Sequence, residues 1–206
     1  FDLIICPEHD NLNFDNCIST LLAIHNIKLK KNIRNKNTIN FIIGGPNKYF
    51  KFQQQTQEKI LNEIKFLSNN FKINVIPSRR TPRGLIEELS KIDNKNVITF
   101  NDLFNPKQYG ELLSEGNLQV VTWDSISMIS EAISSEAGTF LFKFEEKFCP
   151  KRYLKFFDKI TKLNFAKFYN QNLKPYEISI DEYNKNLKTK ILNKIQSNLR
   201  FRSSNA

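Results

Sequence analysis

An apolar segment that runs into a polar turn and then into an amphipathic stretch constrains the fold most. Residues 118–121 predict a buried strand. Asp124 or Ser125 can cap a following helix, because their side-chain oxygens accept the unpaired amide hydrogens of its first turn. Gly138 is expected to break that helix, and residues 139–142 predict the next strand. Together these segments predict a β-α-β unit.

The start of the helix in this unit is suited to an anion. Its first turn combines hydroxyl groups with free backbone amides, and the helix dipole favours negative charge there. A phosphate would fit this position. The alternative is an ordinary capped helix in an α/β domain.

Strand-like and helix-like segments alternate along the rest of the chain. Further strands are predicted at 2–6, 40–43, 73–76 and 96–100, and further helices at 53–69, 83–91 and 109–115. This rhythm predicts an α/β fold with a doubly wound parallel sheet. Ligands of such sheets bind at the carboxyl ends of the strands. Three polar loops are expected there, namely Gly44-Gly45-Pro46, residues 78–81 and residues 124–127.

The positive charge of the chain is concentrated in its last third. Residues 1–142 contain 16 Lys or Arg and 15 Asp or Glu, a net charge of +1, whereas residues 143–206 contain 15 and 6, a net charge of +9. Such asymmetry suggests an anionic partner, either a membrane surface or a nucleic acid. The alternative is a solvated helix face.

The last third is predicted to be helical. One helix is expected at 151–169, and a capping-box pattern at Ser179-Ile180-Asp181-Glu182 introduces another. A basic amphipathic helix can lie on anionic lipid, although such a stripe also packs commonly on its own core. Nucleic acid is disfavoured, because the aromatic residues fall on apolar stripes and form no evident stacking platform.

Several classes of protein are disfavoured by what the sequence lacks. It contains no stretch of about 18 uninterrupted apolar residues, so no membrane-spanning helix is predicted. Three unpatterned cysteines argue against a disulfide framework and suit a reducing compartment. No Gly-x-Gly-x-x-Gly, Walker or His-Glu-x-x-His pattern occurs, so neither a cofactor nor a metal is expected. Because the chain opens directly on a predicted strand, we expect an N-terminal portion to be missing.

Four residue types could carry chemistry. Arg79 and Arg80 follow a predicted strand, and arginine suits bidentate phosphate contact. Gly44-Gly45 would let the backbone approach a ligand, or would only make a turn. His9 lies beside Asp10, and a carboxylate next to an imidazole can orient it as a base. The alternative for His9 is a polar turn.

A series of short motifs occurs in one order along the chain. The motifs are Pro7-Glu8-His9-Asp10, Asn16 with Thr20 and Ala23-Ile24-His25, Gly44-Gly45-Pro46, Ser78-Arg79-Arg80-Thr81-Pro82, Asn105-Pro106 and Asp124-Ser125-Ile126-Ser127-Met128-Ile129-Ser130-Glu131-Ala132. Together they resemble the mitochondrial fission, elongated-mitochondria-like family, whose bacterial members are often labelled predicted nucleoside-diphosphate-sugar epimerases. The resemblance covers roughly residues 1–145. One departure follows Ala132, where the family usually has a Gly-Lys-Pro-like turn and this chain has Ser135-Glu136-Ala137-Gly138-Thr139.

The family resembles glycosyltransferases of the GT-B type, in which two Rossmann-like domains face each other across a cleft. That resemblance implies three parts for this chain. Residues 1–36 would be the end of an N-terminal Rossmann-like domain with its linker, and residues 37–148 would be the C-terminal domain that holds a nucleotide-sugar. Residues 149–206 would form basic amphipathic helices.

The resemblance also implies roles for individual residues. Ser125, Ser127 and Met128 would bind the diphosphate, and Glu131 would accept hydrogen bonds from the ribose hydroxyls. Arg79 or Arg80 would neutralise the phosphate charge on the leaving nucleotide, which is work that a metal does elsewhere.

Other residues complete the implied site. His9 or Asp10 would act as the general base toward an acceptor. The nucleotide-sugar site would also include Gly44, Gly45, Ser78, Thr81 and Asp124.

The function implied is a metal-independent glycosyl transferase that acts near a membrane, with a nucleoside-diphosphate sugar as its ligand. An anionic membrane surface would be a partner through the basic C-terminal helices, and the protein would be cytoplasmic and peripheral on the inner membrane. The alternative is a non-catalytic, membrane-associated adaptor. An epimerase would need a nicotinamide cofactor, for which the sequence has no fingerprint.

Overall fold

The computed structural model describes residues 3–30, 33–100 and 106–204, the last seven of them by their backbone only. Two residues used in the sequence analysis lie outside this range. They are Asp2 of the first predicted strand and Asn105 of the Asn105-Pro106 motif.

Six strands form the main sheet, and every neighbouring pair is parallel. They are β3 (Asn35–Ile43), β4 (Lys72–Pro77), β5 (Val97–Thr99), β6 (Gly116–Thr122), β7 (Gly138–Phe142) and β8 (Lys167–Phe168). Their order across the sheet is β5-β4-β3-β6-β7-β8. With β3 counted as the first strand, this is the order of a doubly wound, Rossmann-like sheet. The predicted α/β fold class is confirmed.

The first two strands form a separate parallel pair. They are β1 (Ile4–Pro7) and β2 (Cys17–Thr20), and a 3₁₀ turn at Glu8–Asp10 follows β1 directly. This turn carries His9, which the sequence analysis singled out.

Within the described ranges, six α-helices accompany the strands. They are α1 (Gln54–Leu67), α2 (Arg83–Ser90), α3 (Pro106–Glu115), α4 (Ile126–Ser134), α5 (Lys151–Lys162) and α6 (Asp181–Ser204). All residues from 38 to 43 of β3 are buried. Because successive side chains of a strand point to opposite faces, both faces of the sheet are covered at this central strand.

The prediction of one helix over 151–169 was wrong at its C-terminal end. Helix α5 stops at Lys162, and Asn164 adopts a left-handed conformation with φ 56°. Asparagine tolerates this conformation, which turns the chain so that Lys167 and Phe168 pair with β7. The capping box is also displaced, because α6 begins at Asp181 and the carbonyl of Ile180 accepts its first helical hydrogen bond, from Asn184.

Gly138 does not act as the predicted helix breaker. Helix α4 ends at Ser134, and Glu136 adopts the left-handed conformation, with φ 59°. Gly138 instead opens β7 at a point of close approach, where an added Cβ would lie 2.8 Å from the carbonyl oxygen of Tyr176. The linker expected to end at residue 36 is likewise shorter, because β3 begins at Asn35.

A ladder of buried amide side chains joins the three central strands. The Nδ2 group of Asn40 on β3 donates to Gln119 Oε1 on β6 (3.0 Å) and to the carbonyl of Leu112 in α3 (2.6 Å). Its Oδ1 accepts from Asn74 Nδ2 on β4 at 3.0 Å. Gln119 in turn donates to the carbonyl of Leu113 at 2.9 Å. The ladder therefore fixes the register of β4, β3 and β6 and satisfies carbonyls in the last turn of α3.

Replacing Asn40 by leucine should destabilise the fold strongly. Asn40→Leu leaves buried hydrogen-bonding groups of Leu112, Gln119 and Asn74 without their partner, and we expect a loss of about 3 kcal/mol in the free energy of unfolding. Urea denaturation measures this loss. The matched control is Asn37→Leu on the same strand, where the side chain is exposed. Equal effects of the two changes would show that the ladder contributes no specific stability.

Candidate functional site

Three loops converge between β3 and β6, at the point where the order of the strands across the sheet reverses. They follow β3 at Gly44, β4 at Ser78 and β6 at Trp123. This point is the topological switch of a doubly wound sheet, where the helices that follow the two strands diverge and leave a crevice for a ligand. The three polar loops of the sequence analysis are therefore brought together.

An ion pair between an arginine and a buried carboxylate holds these loops together. Arg80 Nη2 donates to Asp124 Oδ2 at 2.7 Å, and Arg80 Nη1 donates to the carbonyl of Gly45 at 2.6 Å. The side chain of Asp124 is fully buried, whereas that of Arg80 is 36% exposed. The amide of Gly45 also donates to Asp124 Oδ2, at 3.2 Å. Arg80, Asp124 and Gly45 thus form one unit, which we call the loop hub.

Both glycines of the β3 loop are required by close contacts. A Cβ on Gly44 would lie 2.2 Å from Asp124 Oδ2, and a Cβ on Gly45 would lie 2.0 Å from the backbone oxygen of Arg80. Real atoms do not approach so closely, so a side chain at either position would displace the loop hub. Here the glycines make room for a protein carboxylate and a protein backbone.

The loop after β4 is a tight turn held to the end of β3. Thr81 is buried, and its hydroxyl donates to the carbonyls of Ile43 and Gly44 at 2.8 and 2.7 Å. The same Oγ1 accepts from the amide of Ser78 at 2.9 Å. Ser78 and Thr81 therefore shape the loop that presents the two arginines.

The two arginines have different surroundings. Arg80 belongs to the loop hub, whereas Arg79 is exposed and its guanidinium has no hydrogen-bond or ion-pair partner among the described residues. Arg79 lines a cavity, and Arg83 from the first turn of α2 lines it too. Of the pair, Arg79 is the residue available to an anionic ligand.

Helix α4 starts beside the same cavity. Ser125 is its N-cap, and its Oγ accepts from the amide of Met128 at 3.5 Å. The first amides of a helix have no partner within it and carry partial positive charge. Ser127 is exposed in this first turn, and Met128 lines the cavity. The predicted cap at Asp124 or Ser125 is thus provided by Ser125.

The cavity has a volume of about 920 Å³ and lies over the carboxyl ends of β3 and β4. Its walls combine apolar side chains with two arginines and two carboxylates. The lining residues are Asn26, Ile27, Ile42, Ile76, Pro77, Ser78, Arg79, Thr81, Arg83, Ile86, Glu87, Pro106, Tyr109, Met128 and Glu131. A volume of this size is typical of small-molecule sites.

Glu131 is the less exposed of the two acidic groups that line this cavity, and it is paired with a tyrosine. Tyr109 donates its hydroxyl hydrogen to Glu131 Oε2 at 3.0 Å. Burial raises the pKa of Glu131, and the hydrogen bond from Tyr109 offsets part of that rise. Burial and the neighbouring Glu131 carboxylate raise the pKa of Tyr109. Glu131 therefore presents an oxygen that can accept further hydrogen bonds.

His9 and Asp10 lie in a different place. His9 lines a second cavity, formed by the 3₁₀ turn, Tyr49 and α5. Its Nε2 atom is 3.8 Å from Asp10 Oδ1, and burial lowers the pKa of His9 against the effect of Asp10. The structure therefore groups Ser78, Arg79, Thr81, Met128 and Glu131 around one cavity and places His9 at another.

Sequence reasoning did not identify Tyr109 and Arg83 as site residues. Tyr109 belongs to α3, which the crossover from β5 to β6 brings to the site. The residues next to Tyr109 in the sequence therefore gave no indication that it belongs to the site. Arg83 did have a signal, because it is the third arginine within five residues and follows the helix-opening Pro82.

Two other features, a membrane-spanning helix and a metal-binding cluster, are absent from the described residues. Among them, no helix combines the length and apolar character needed to cross a bilayer. Nor do any three His, Cys, Asp or Glu side chains within the described ranges cluster closely enough to hold a metal ion.

Two known proteins are similar to this chain over part of their length. A protein of Rickettsia prowazekii (strain Madrid E), named Uncharacterized protein RP120, is 27% identical over 140 residues, which cover 64% of this chain and 38% of that protein. The crystal structure of the glycotransferase of kitacinnamycin aligns with a TM-score of 0.45 and 13% identity, over 80% of this chain and 39% of that chain. The chain thus spans about two fifths of the length of these proteins.

A family model described as Mitochondrial fission ELM1 matches residues 1–191. This match includes the loop hub, the cavity beside it and the turn that carries His9. The chain belongs to the Mitochondrial fission ELM1 family.

Proposed function

We propose that the cavity beside the loop hub binds a nucleoside-diphosphate sugar, and that the chain is the donor-binding part of a GT-B-like glycosyl transferase. The observation that carries this proposal is the unpaired guanidinium of Arg79 at a cavity that also contains the start of α4. A diphosphate would find charge, free amides and a hydroxyl within one crevice.

The remaining walls suit the other parts of such a ligand. Glu131 would accept hydrogen bonds from ribose hydroxyls, with Tyr109 holding its carboxylate in place. Ile42, Ile76 and Ile86 line the cavity and would pack against the base.

The proposed reaction transfers a glycosyl group to an acceptor hydroxyl. The acceptor oxygen bonds to the anomeric carbon of the sugar, the bond from that carbon to the phosphate oxygen breaks, and the nucleoside diphosphate leaves with the bonding electrons. His9, or Asp10 beside it, would take the acceptor proton. The lowered pKa of His9 keeps its imidazole neutral at pH 7, as a base requires. Arg79 and Arg83 would stabilise the charge on the departing diphosphate.

A second candidate is a membrane-associated adaptor without catalytic activity. One observation favours it, namely that α5 exposes Leu154 beside Lys151 and Lys155. This candidate requires that changes at Arg79 leave function intact and that charge removal from α5 abolishes it.

Ligand binding should depend on Arg79. We expect one of uridine, guanosine, cytidine or adenosine diphosphate to raise the melting temperature of the chain, since a ligand at about one hundred times its Kd stabilises by roughly 2.7 kcal/mol. Arg79→Ala should abolish this shift in a thermal-shift assay. The control is Lys72→Ala, which removes a charge at the amino end of β4. Failure of all four nucleotides to stabilise the wild-type chain would refute the proposed site.

Folding, in contrast, should depend on Arg80. Arg80→Ala leaves the Asp124 carboxylate buried without its cation, and we expect a loss of about 3 kcal/mol in the free energy of unfolding. Arg79→Ala should change that free energy by less than about 0.5 kcal/mol, as is usual for an exposed side chain. Urea denaturation of the two unliganded variants makes the comparison. Similar losses in both would contradict the division of roles between the arginines.

The carboxylate of Glu131 should cost stability at neutral pH. Because folding raises its pKa above the ordinary value of about 4.5, the cost is absent below that value and grows as pH rises through the folded-state pKa. Glu131→Gln should therefore stabilise the unliganded chain at pH 7, with a gain that fades toward pH 4, while it weakens nucleotide binding.

Glu111 provides a control of opposite sign for this measurement. Lys30 lowers the pKa of Glu111 by a hydrogen bond and by its charge. Glu111→Gln should therefore destabilise at pH 7, and this small loss should also fade as pH falls through the lowered pKa. Denaturation of both variants is measured from pH 7 down to below the lowered pKa of Glu111. The assignment would be contradicted if the changes in the free energy of unfolding of the two variants varied with pH in the same direction.

A further inference from the structure

The second cavity is lined by a concentration of positive charge that the proposed donor site does not use. It has a volume of about 610 Å³ and lies between the 3₁₀ turn at Glu8–Asp10 and the first half of α5. Lys151, Arg152 and Lys155 line it from α5, and none of them has a carboxylate partner among the described residues. Lys159, one turn further on, is paired with Glu8.

The start of α5 adds to this charge. Its first turn contains no acidic residue, and Pro150 provides no side-chain cap. The positive end of the helix dipole therefore remains uncompensated beside Lys151 and Arg152. A site with several cations and an open helix start favours an anion of more than one charge.

Two polar side chains from outside α5 complete this lining, His9 and Tyr49. The hydroxyl of Tyr49 accepts from Arg152 Nη2 at 2.9 Å, so it holds the guanidinium at the cavity. The Nδ1 atom of His9 is buried and has no hydrogen-bond partner in the described structure, which costs stability in the unliganded chain.

The second cavity is mechanically connected to the first. Asn47 donates to the carbonyl of Asp124 at 3.1 Å, and its Oδ1 accepts from the amide of Tyr49 at 2.8 Å. The wall that carries Tyr49 is therefore joined to the loop hub, and Arg79 and Thr81, the neighbours of Arg80, line the first cavity. Ligands in the two cavities would be held by one rigid unit.

We propose that the second cavity binds a phosphate ester, and that this phosphate belongs to the second substrate, the acceptor. The assignment as acceptor rests on the proposed function, whereas the binding of phosphate rests only on the cavity. Arg152 would contact two phosphate oxygens, Lys151 and Lys155 would balance the charge, and His9 would lie where an acceptor hydroxyl loses its proton. The phosphate could belong to a lipid headgroup or to a water-soluble ester.

The test is a calorimetric titration of the 206-residue chain with inorganic phosphate at constant ionic strength. Lys155→Gln and Arg152→Gln should each weaken phosphate binding by on the order of tenfold, the value for loss of one charge-assisted contact. Lys72→Gln, with the same charge change at the amino end of β4, should leave the affinity within about twofold. No binding of phosphate, or equal weakening in all three variants, would overturn the site.

Further measurements distinguish a lipid phosphate from a soluble phosphate ester, and binding in the second cavity from binding in the first. A lipid phosphate would be supported if the chain sedimented with phosphatidylglycerol vesicles but not with phosphatidylcholine vesicles, and if Lys155→Gln abolished this sedimentation. Phosphate binding without sedimentation would support a soluble ester. Loss of phosphate binding in Arg79→Ala, and not in Lys155→Gln, would place the anion in the donor cavity and overturn the inference.

Nucleoside diphosphates provide the last distinction. Both Lys155→Gln and Arg152→Gln should bind them with wild-type affinity, because the variants leave the donor cavity intact. If the chain binds phosphate through Lys155 but binds no nucleoside diphosphate, the anion site stands and its assignment to an acceptor is overturned.

Discussion

The ion pair between Arg80 and Asp124 is the contact on which the arrangement of the site depends. A fully buried carboxylate is stable only with a cation and hydrogen-bond donors around it, and Arg80 and the amide of Gly45 supply both. Since Arg80, Asp124 and Gly45 come from three different loops, satisfying one charge also fixes three strand ends. The missing Cβ atoms of Gly44 and Gly45 are part of the same requirement, because a Cβ on Gly44 would meet the Asp124 carboxylate and a Cβ on Gly45 would meet the backbone of Arg80.

Two cavities of different character are connected to these loops. The cavity beside the loop hub has a mixed lining, in which Arg79 and the start of α4 would suit a diphosphate and isoleucines would suit an apolar ring. The second cavity is dominated by the cations of α5. Asn47 connects the loop hub to the second cavity through Tyr49. Such a connection would serve the proposed transfer, because donor and acceptor must meet in one geometry.

The arginines and the carboxylates illustrate how similar residues take different roles in one site. Arg80 is committed to structure and Arg79 is left unpaired, although they are neighbours in sequence. The Oδ2 atom of Asp124 is paired with Arg80 and the amide of Gly45, although its Oδ1 atom is buried without a hydrogen-bond partner among the described residues. Glu131 is half-buried, has Tyr109 as its described donor and has a raised pKa. Groups that cost stability in the unliganded state are expected where a ligand later provides the missing contacts.

The sequence by itself determined the α/β class and most of the strands and helices, because hydrophobic period and capping residues act over a few neighbouring positions. It also determined which polar loops lie together, since polar residues after a buried strand must lie at its carboxyl end. Only the tertiary structure decided which arginine is free, because that depends on a carboxylate more than forty positions away along the chain, Asp124. The same holds for Tyr109 at Glu131, for His9 at the start of α5 and for the amides of Asn40, Asn74 and Gln119. Each of these pairings joins segments that are distant in sequence, and local pattern carries no information about which partner a buried polar group will find.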